Sequence, residues 1–169
     1  RPLRVMVAGV PNTGKSTIIN SFCGEKRAVT GDKAGVTRGK QWIRLKDIEL
    51  LDTPGTMPPK FENKYYAKHL AYIGSINDAI LDKDGLCLEL ISELSLKYPN
   101  CLCEKYGIEN IGEFQPLEIF EIICKKRGFI MRGNEFDYER GAIAILDDFR
   151  KGRIGKICLE TEKYNEKNN

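Results

Sequence analysis

The sequence lacks any apolar run near the roughly 20 residues that a membrane-spanning helix needs. Its longer candidates, such as residues 142–146, are soon broken by charge, so no membrane partner is expected. Histidine is almost absent: His69 stands alone. The six cysteines (Cys23, Cys87, Cys101, Cys103, Cys124 and Cys158) contain no C-x-x-C pair. Cys101 and Cys103 are the nearest two and have no second pair to complete a zinc site. The cysteines are expected to be reduced and mostly buried, as in a cytoplasmic protein, and no signal peptide is visible. A large charge excess is also missing: 27 basic against 24 acidic residues give a net +3. With 41% hydrophobic and 30% charged residues, simple disorder is excluded.

What charge there is lies unevenly. Residues 1–60 hold 11 basic and 5 acidic residues, net +6, and the remainder holds 16 and 19, net −3. A polyanion, if bound, should face the first part. That part is strand-like. Residues 3–10 form a short β-branched run, predicted as a buried strand, and a helical pattern follows from Gly14-Lys15-Ser16 to Gly24. Residues 25–40, with Gly31, Gly35 and Gly39, predict an exposed loop long enough to suspect a function. Trp42-Ile43-Arg44-Leu45 and Ile48-Glu49-Leu50-Leu51 predict a hairpin across Lys46-Asp47.

From Phe61 helical spacing takes over. Helices are expected over residues 62–73, around Leu86, Leu90, Ile91 and Leu94 with an end at Pro99, around Leu117, Phe120, Ile123 and Cys124 with an end at Gly128, and over residues 138–149. The expected architecture is α/β: a partial sheet with its helices followed by a small all-helical C-terminal domain. Its boundaries are 1–82 for the α/β part, 83–158 for the helical domain and 159–169 for a flexible tail.

Gly9-Val10-Pro11-Asn12-Thr13-Gly14-Lys15-Ser16 matches G-x-x-x-x-G-K-[ST], between a strand and a helix as that motif requires. Two glycines allow the tight wrap that points backbone N–H groups at phosphate oxygens, and the helix N-terminus adds its dipole. Lys15 would set an ammonium between terminal phosphates, Ser16 would offer a hydroxyl to Mg²⁺, and Thr17 would bond an inner phosphate. Asp52-Thr53-Pro54-Gly55 ends a strand. Asp52 there can hold Mg²⁺ through water, and the N–H of Gly55 can reach a γ-phosphate. Thr37, in Gly35-Val36-Thr37-Arg38, could close over metal and γ-phosphate and let go after hydrolysis. The nucleotide contacts expected are thus Asn12, Thr13, Gly14, Lys15, Ser16, Thr17 and Gly55. The Mg²⁺ set is Ser16, Thr37 and Asp52, with Lys15 and Thr37 as the catalytic pair.

Together these segments resemble the phosphate, switch and D-x-x-G elements of translation-factor-related P-loop GTPases, which favours GTP over ATP. No residue so far touches a base. Guanine recognition in that class uses N-K-x-D at a strand end. Asn63-Lys64-Tyr65-Tyr66 lacks the Asp, and Asp82-Lys83-Asp84-Gly85 lacks the Asn.

The run Gly35-Val36-Thr37-Arg38-Gly39-Lys40-Gln41-Trp42, then Leu51-Asp52-Thr53-Pro54-Gly55, then Pro59-Lys60-Phe61, resembles the ribosome biogenesis GTPase A family, the YlqF-like circularly permuted GTPases. Lys126-Arg127-Gly128, Tyr138 and Asp148-Phe149-Arg150-Lys151-Gly152-Arg153-Ile154-Gly155 resemble its helical domain. In that family N-K-x-D lies upstream of the P-loop, so the base-recognition half is expected to be missing here, and a start at Arg1-Pro2 without Met agrees. The resemblance implies GTP hydrolysis to GDP during assembly of the large ribosomal subunit, with rRNA and ribosomal proteins as partners. In similar potassium-activated GTPases the P-loop Asn helps hold K⁺, and Asn12 matches that position.

Thr56 departs from both the usual Gln and the family's apolar residue, and its hydroxyl is too short to position the attacking water. The family is thought to use a His from an upstream segment, while His69 is read as surface or packing. Slow intrinsic hydrolysis is expected. Lys125-Lys126-Arg127 and Arg150-Lys151-Gly152-Arg153-Ile154-Gly155-Lys156 are candidates for rRNA phosphates. Without neighbours carrying base recognition, the strand at residues 3–9 is expected to be an exposed apolar edge that invites association. A docking module without turnover and a P-loop ATPase of another class are the competing readings.

Overall fold

In a computed structural model, residues 2–25, 28, 39–58, 60–61 and 63–160 are described. The chain divides into two compact units between Ile80 and Leu81.

The first unit carries a three-stranded sheet. Strand β1 (Leu3–Val7) runs parallel to β3 (Ile48–Asp52), and β2 (Gln41–Leu45) pairs antiparallel with β3 in the expected hairpin; the order is β1-β3-β2. Register decides what each face carries. Val5, Leu50 and Ile43 stand in one row, and helix α1 (Lys15–Cys23) covers it with Ile19; Ala28 completes this core. The opposite face carries the row Met6, Leu51, Trp42 and the charged row Arg4, Glu49, Arg44. Arg4 bonds Glu49 at 3.0 Å and lays its guanidinium over the Trp42 ring.

The buried strand predicted at residues 3–10 is corrected. Only Leu3–Val7 is strand, and Leu3 and Met6 are each 64% exposed. The reason is position. Among the described residues β1 ends the sheet order, with a strand on one side only. The expected exposed edge is what the structure has.

Helix α2 (Lys64–Tyr72) begins two residues later than predicted, because the Asn63 side chain caps it by accepting from the Tyr65 N–H at 2.8 Å. Gly74, at φ +75°, then turns the chain. The N–H of Gly74 reaches Ala71 O at 3.0 Å and that of Ser75 reaches Leu70 O at 2.9 Å, a double closure of the helix end.

The second unit is helical: α3 (Lys83–Lys97), α4 (Pro99–Tyr106), α5 (Pro116–Arg127) and α6 (Tyr138–Arg150). Pro99 does end the run before it, as predicted, but it also opens α4, which sequence reading missed. Proline suits a first helical position because its absent N–H would have no partner there. Cys87, Leu90, Ile91 and Leu94 of α3 form the core with Leu102, Ile119, Phe120, Ile123, Ile145 and Leu146. Gly141 sets the approach of α6 to α5: a Cβ there would stand 2.5 Å from Cys124 Sγ and 2.9 Å from Phe120 Cε2.

All six cysteines are free, but only Cys87 and Cys124 are fully buried. Cys23, Cys101 and Cys103 are half-buried and Cys158 is exposed, against the expectation of mostly buried thiols. Burial pushes the Cys87 and Cys124 thiols up, Cys124 to about 11, so neither is a nucleophile near neutrality. No helix among the described residues is long and apolar enough to cross a membrane.

Candidate functional site: a phosphate-binding loop beside a buried aspartate

Parallel pairing sets Val7, the last residue of β1, directly beside Asp52, the last of β3. Both following segments, residues 9–16 and 53–56, therefore leave the same end of the sheet. The carboxyl ends of parallel strands are where ligands bind in such sheets.

The loop after β1 is knit by its own atoms. The Thr13 hydroxyl donates to Val10 O at 2.9 Å, and the Lys15 ammonium donates to the same carbonyl at 2.7 Å. Asn12 at φ +59° and Gly14 at φ +82° turn the chain into α1, whose first bond runs from Ile18 N–H to Gly14 O at 2.8 Å. The N–H groups of the first turn, from Lys15 to Thr17, have no intrahelical acceptor by construction and point out of the helix end. An anion is the ligand that suits them.

The loop after β3 is fastened to this one at three points. The Thr53 hydroxyl donates to Val7 O at 2.7 Å, and the Thr56 N–H donates to Gly9 O at 3.1 Å. At the third point Gly55 lies against Pro11: a Cβ on Gly55 would stand 2.5 Å from both N and Cα of Pro11. The glycine is needed for this approach, apart from any access it gives to a phosphate.

Asp52 is 1% exposed. Its Oδ2 accepts from the Ser16 hydroxyl at 3.0 Å, while Oδ1 is buried with no hydrogen-bond partner among the described residues. A buried carboxylate oxygen without a partner is costly unless something else satisfies it. A hydroxyl and a carboxylate oxygen are donors of the hard type that Mg²⁺ takes, so these two residues fit that ion.

Of the residues expected from sequence, the structure brings Asn12, Thr13, Gly14, Lys15, Ser16 and Thr17 together with Asp52 and Gly55 at one end of the sheet. Thr37 lies outside the described residues. Sequence reading missed Pro11, Thr53 and Ser75. The Ser75 hydroxyl donates to Pro11 O at 2.6 Å, and the Asn12 amide donates from Nδ2 to Ile73 O at 3.3 Å. These partners lie 64 and 61 positions apart, and no local pattern announces them. His69 is buried, with ring centroids of Tyr65 at 4.0 Å and Tyr72 at 5.7 Å, which places it in packing.

The two basic runs of the helical unit turn partly inward. Asp148 is 2% exposed and takes Arg127 Nη2 and Arg153 Nε at 2.6 Å each, with the Tyr106 hydroxyl at 3.2 Å. Arg153 also reaches Asp147 at 2.5 Å, and Lys126 bonds Gly107 O. Lys125 and Lys156 stay exposed.

Residues 4–93 match the family described as 50S ribosome-binding GTPase. The chain is 39% identical over 168 residues to ribosome biogenesis GTPase A of Bacillus cereus, covering 98% of this chain and 56% of that protein. It is 40% identical to the protein of that name from Priestia megaterium, covering 95% and 56%. Among solved structures, the GDP-bound structure of TM YlqF aligns with a TM-score of 0.62 at 27% identity, covering 96% of this chain and 62% of that one. The chain thus spans a little over half the length of these curated relatives. Because the matched residues are those that build the loop, the buried aspartate and the glycine contact, the chain belongs to the 50S ribosome-binding GTPase family.

Proposed function

We propose that this chain binds GTP with Mg²⁺ and hydrolyses it to GDP and phosphate, and that this turnover serves assembly of the large ribosomal subunit. The observation that carries the reading is the Ser16–Asp52 pair at 3.0 Å, with Asp52 Oδ1 buried and unpartnered among the described residues, at the start of a helix whose N-terminus suits an anion. The first-turn N–H groups would grip the phosphates, and Lys15 would exchange its bond to Val10 O for them. Ser16 and Asp52 would hold Mg²⁺, which when bound neutralises phosphate charge. Gly55 would offer its N–H toward the terminal phosphate. Thr37 is proposed as the closing ligand. Most of the acceleration would come from positioning and charge stabilisation. With Thr56 tied by its N–H to Gly9 O and bearing only a short hydroxyl, unaided turnover would be slow.

The Asn12 Oδ1 is the unspent acceptor of an amide whose Nδ2 is already bonded, which suits a ligand for K⁺. The exposed Lys125 and Lys156 are proposed to meet rRNA phosphates, with Arg127 and Arg153 holding the surface that carries them. The names of the relatives support the ribosomal setting.

Competition between GTP and ATP for a fluorescent guanine nucleotide, run on this chain and on a longer protein that also carries an N-K-x-D segment, tests the base. Phosphate release by wild type and Lys15→Ala tests the loop. GTP should displace the probe from the longer protein and ATP should not, whereas this chain, whose identified contacts are to phosphate and metal, should distinguish them less. Lys15→Ala should lower release by about 100-fold or more, the range seen when one charge-stabilising group is removed. Equal displacement by ATP from the longer protein defeats the guanine reading. Unchanged release in Lys15→Ala would mean the loop is not the active centre.

A further inference from the structure

The end of helix α2 is clamped onto the crest of the phosphate loop by two side-chain bonds that no phosphate contact requires. The double closure at Gly74 satisfies the Leu70 and Ala71 carbonyls but leaves that of Ile73 pointing onward. It takes its hydrogen from Asn12 Nδ2 at 3.3 Å. Two residues on, the buried Ser75 hydroxyl donates to Pro11 O at 2.6 Å. Adjacent loop residues are thus fixed by adjacent points on one helix end, across 61 and 64 residues of sequence.

The polarity of the clamp matters. A helix C-terminus presents carbonyl oxygens and a partial negative charge, so it draws the NH₂ side of the Asn12 amide. An amide so held can turn only its oxygen the other way. Asn12 also sits at φ +59°, a conformation that a residue holds where its surroundings determine it. We propose that Ser75, together with the Ile73 carbonyl, is a positioning residue for Asn12: it fixes the loop so that Oδ1 is presented as a ready-made ligand for a monovalent cation. This rests on the reading of Asn12 as a K⁺ ligand at the nucleotide site. Ser75 touches neither ion nor nucleotide and acts through Pro11 and Asn12.

The test is titration of a fluorescent GTP analogue into the full chain in K⁺ and in Na⁺, with Ser75→Ala and Ser75→Thr and with thermal melts to confirm folding. In wild type, K⁺ should raise the affinity and Na⁺ should not. In Ser75→Ala the K⁺ concentration giving half the gain should rise by about tenfold or more, the scale on which partners that orient a metal ligand act, while affinity in Na⁺ stays unchanged. Ser75→Thr, which keeps the hydroxyl, should restore the response. An unchanged K⁺ response in a folded Ser75→Ala overturns the proposal, and so does an equal loss of affinity in both salts. A wild type that binds the analogue tightly with no response to K⁺ also overturns it, while leaving the nucleotide reading intact. A wild type that binds no nucleotide overturns both.

Discussion

At the scale of single residues, the site is tighter than its motifs suggest. A glycine in D-x-x-G is usually explained by access to the γ-phosphate, yet Gly55 has a second constraint in the backbone of Pro11. Gly55→Ala should therefore harm the loop before any ligand arrives. Overpacking of this kind costs about 1–3 kcal/mol, and here the neighbour is backbone, which yields little. The expected outcome is a melting temperature lowered by several degrees together with a nucleotide affinity lowered at least tenfold. A Gly55→Ala that melts like wild type would show that the loop can step aside. Asp148 poses the converse case. It is buried and closed on by Arg127 and Arg153. Asp148→Ala would leave two guanidinium groups facing each other, a change of the class that costs about 3–5 kcal/mol. Denaturant unfolding of the helical unit should show it, and retention of full stability would refute the pairing.

At the scale of elements, sequence reading succeeded where periodicity was local. The hairpin at Lys46-Asp47, the helix end at Gly128 and the start of α6 at Tyr138 were all legible, because two-residue turns, left-handed glycines and capped apolar faces carry their own signals. The failures were non-local. The exposure of β1 depends on where the strand sits in the sheet, which a β-branched run does not encode. Lys15, Ser16 and Asp52 could be read from spacing, and Asn12 from the family resemblance. Their supports, Thr53, Ser75 and the Ile73 carbonyl, could not, since each meets its partner across some 46 to 64 residues. The basic runs were candidates for rRNA phosphates, and that Asp148 is buried and takes both Arg127 and Arg153 became visible only with the fold.

The junction of α5 and α6 offers a test of its own. The Tyr138 hydroxyl donates to Glu121 Oε1 at 2.6 Å, and this bond to a carboxylate, with some burial, raises the phenol from 10.0 to about 12. A folded-state value above the unfolded one stabilises in full below pH 10.0 and loses that contribution as pH rises through about 12. The stability difference between wild type and Tyr138→Phe should accordingly shrink across that alkaline window. A difference that holds constant there would show that the bond does not stabilise the unit.

At the scale of the whole molecule, the described sheet is covered on one face and open on the other. Met6 at 64% and Trp42 at 52% exposure flank Leu51, and Leu3 adds a further exposed apolar group on the edge strand. Exposed rows of this kind on an edge invite pairing with another chain. The 169-residue chain should elute with a concentration-dependent apparent mass on sizing, and Leu3→Lys with Met6→Lys should shift it toward the 19.2 kDa of one copy. A wild type that stays monomeric at all concentrations would count against an adhesive edge.

The meeting of Gly55 with Pro11 has a mechanical corollary. The steric contact resists compression, and the bond from Thr56 to Gly9 resists separation. The spacing between the two phosphate-facing segments is thus set from both sides, like the jaws of a fixed calliper. A ligand would therefore meet two segments already held at one separation, and its binding would not have to bring them together.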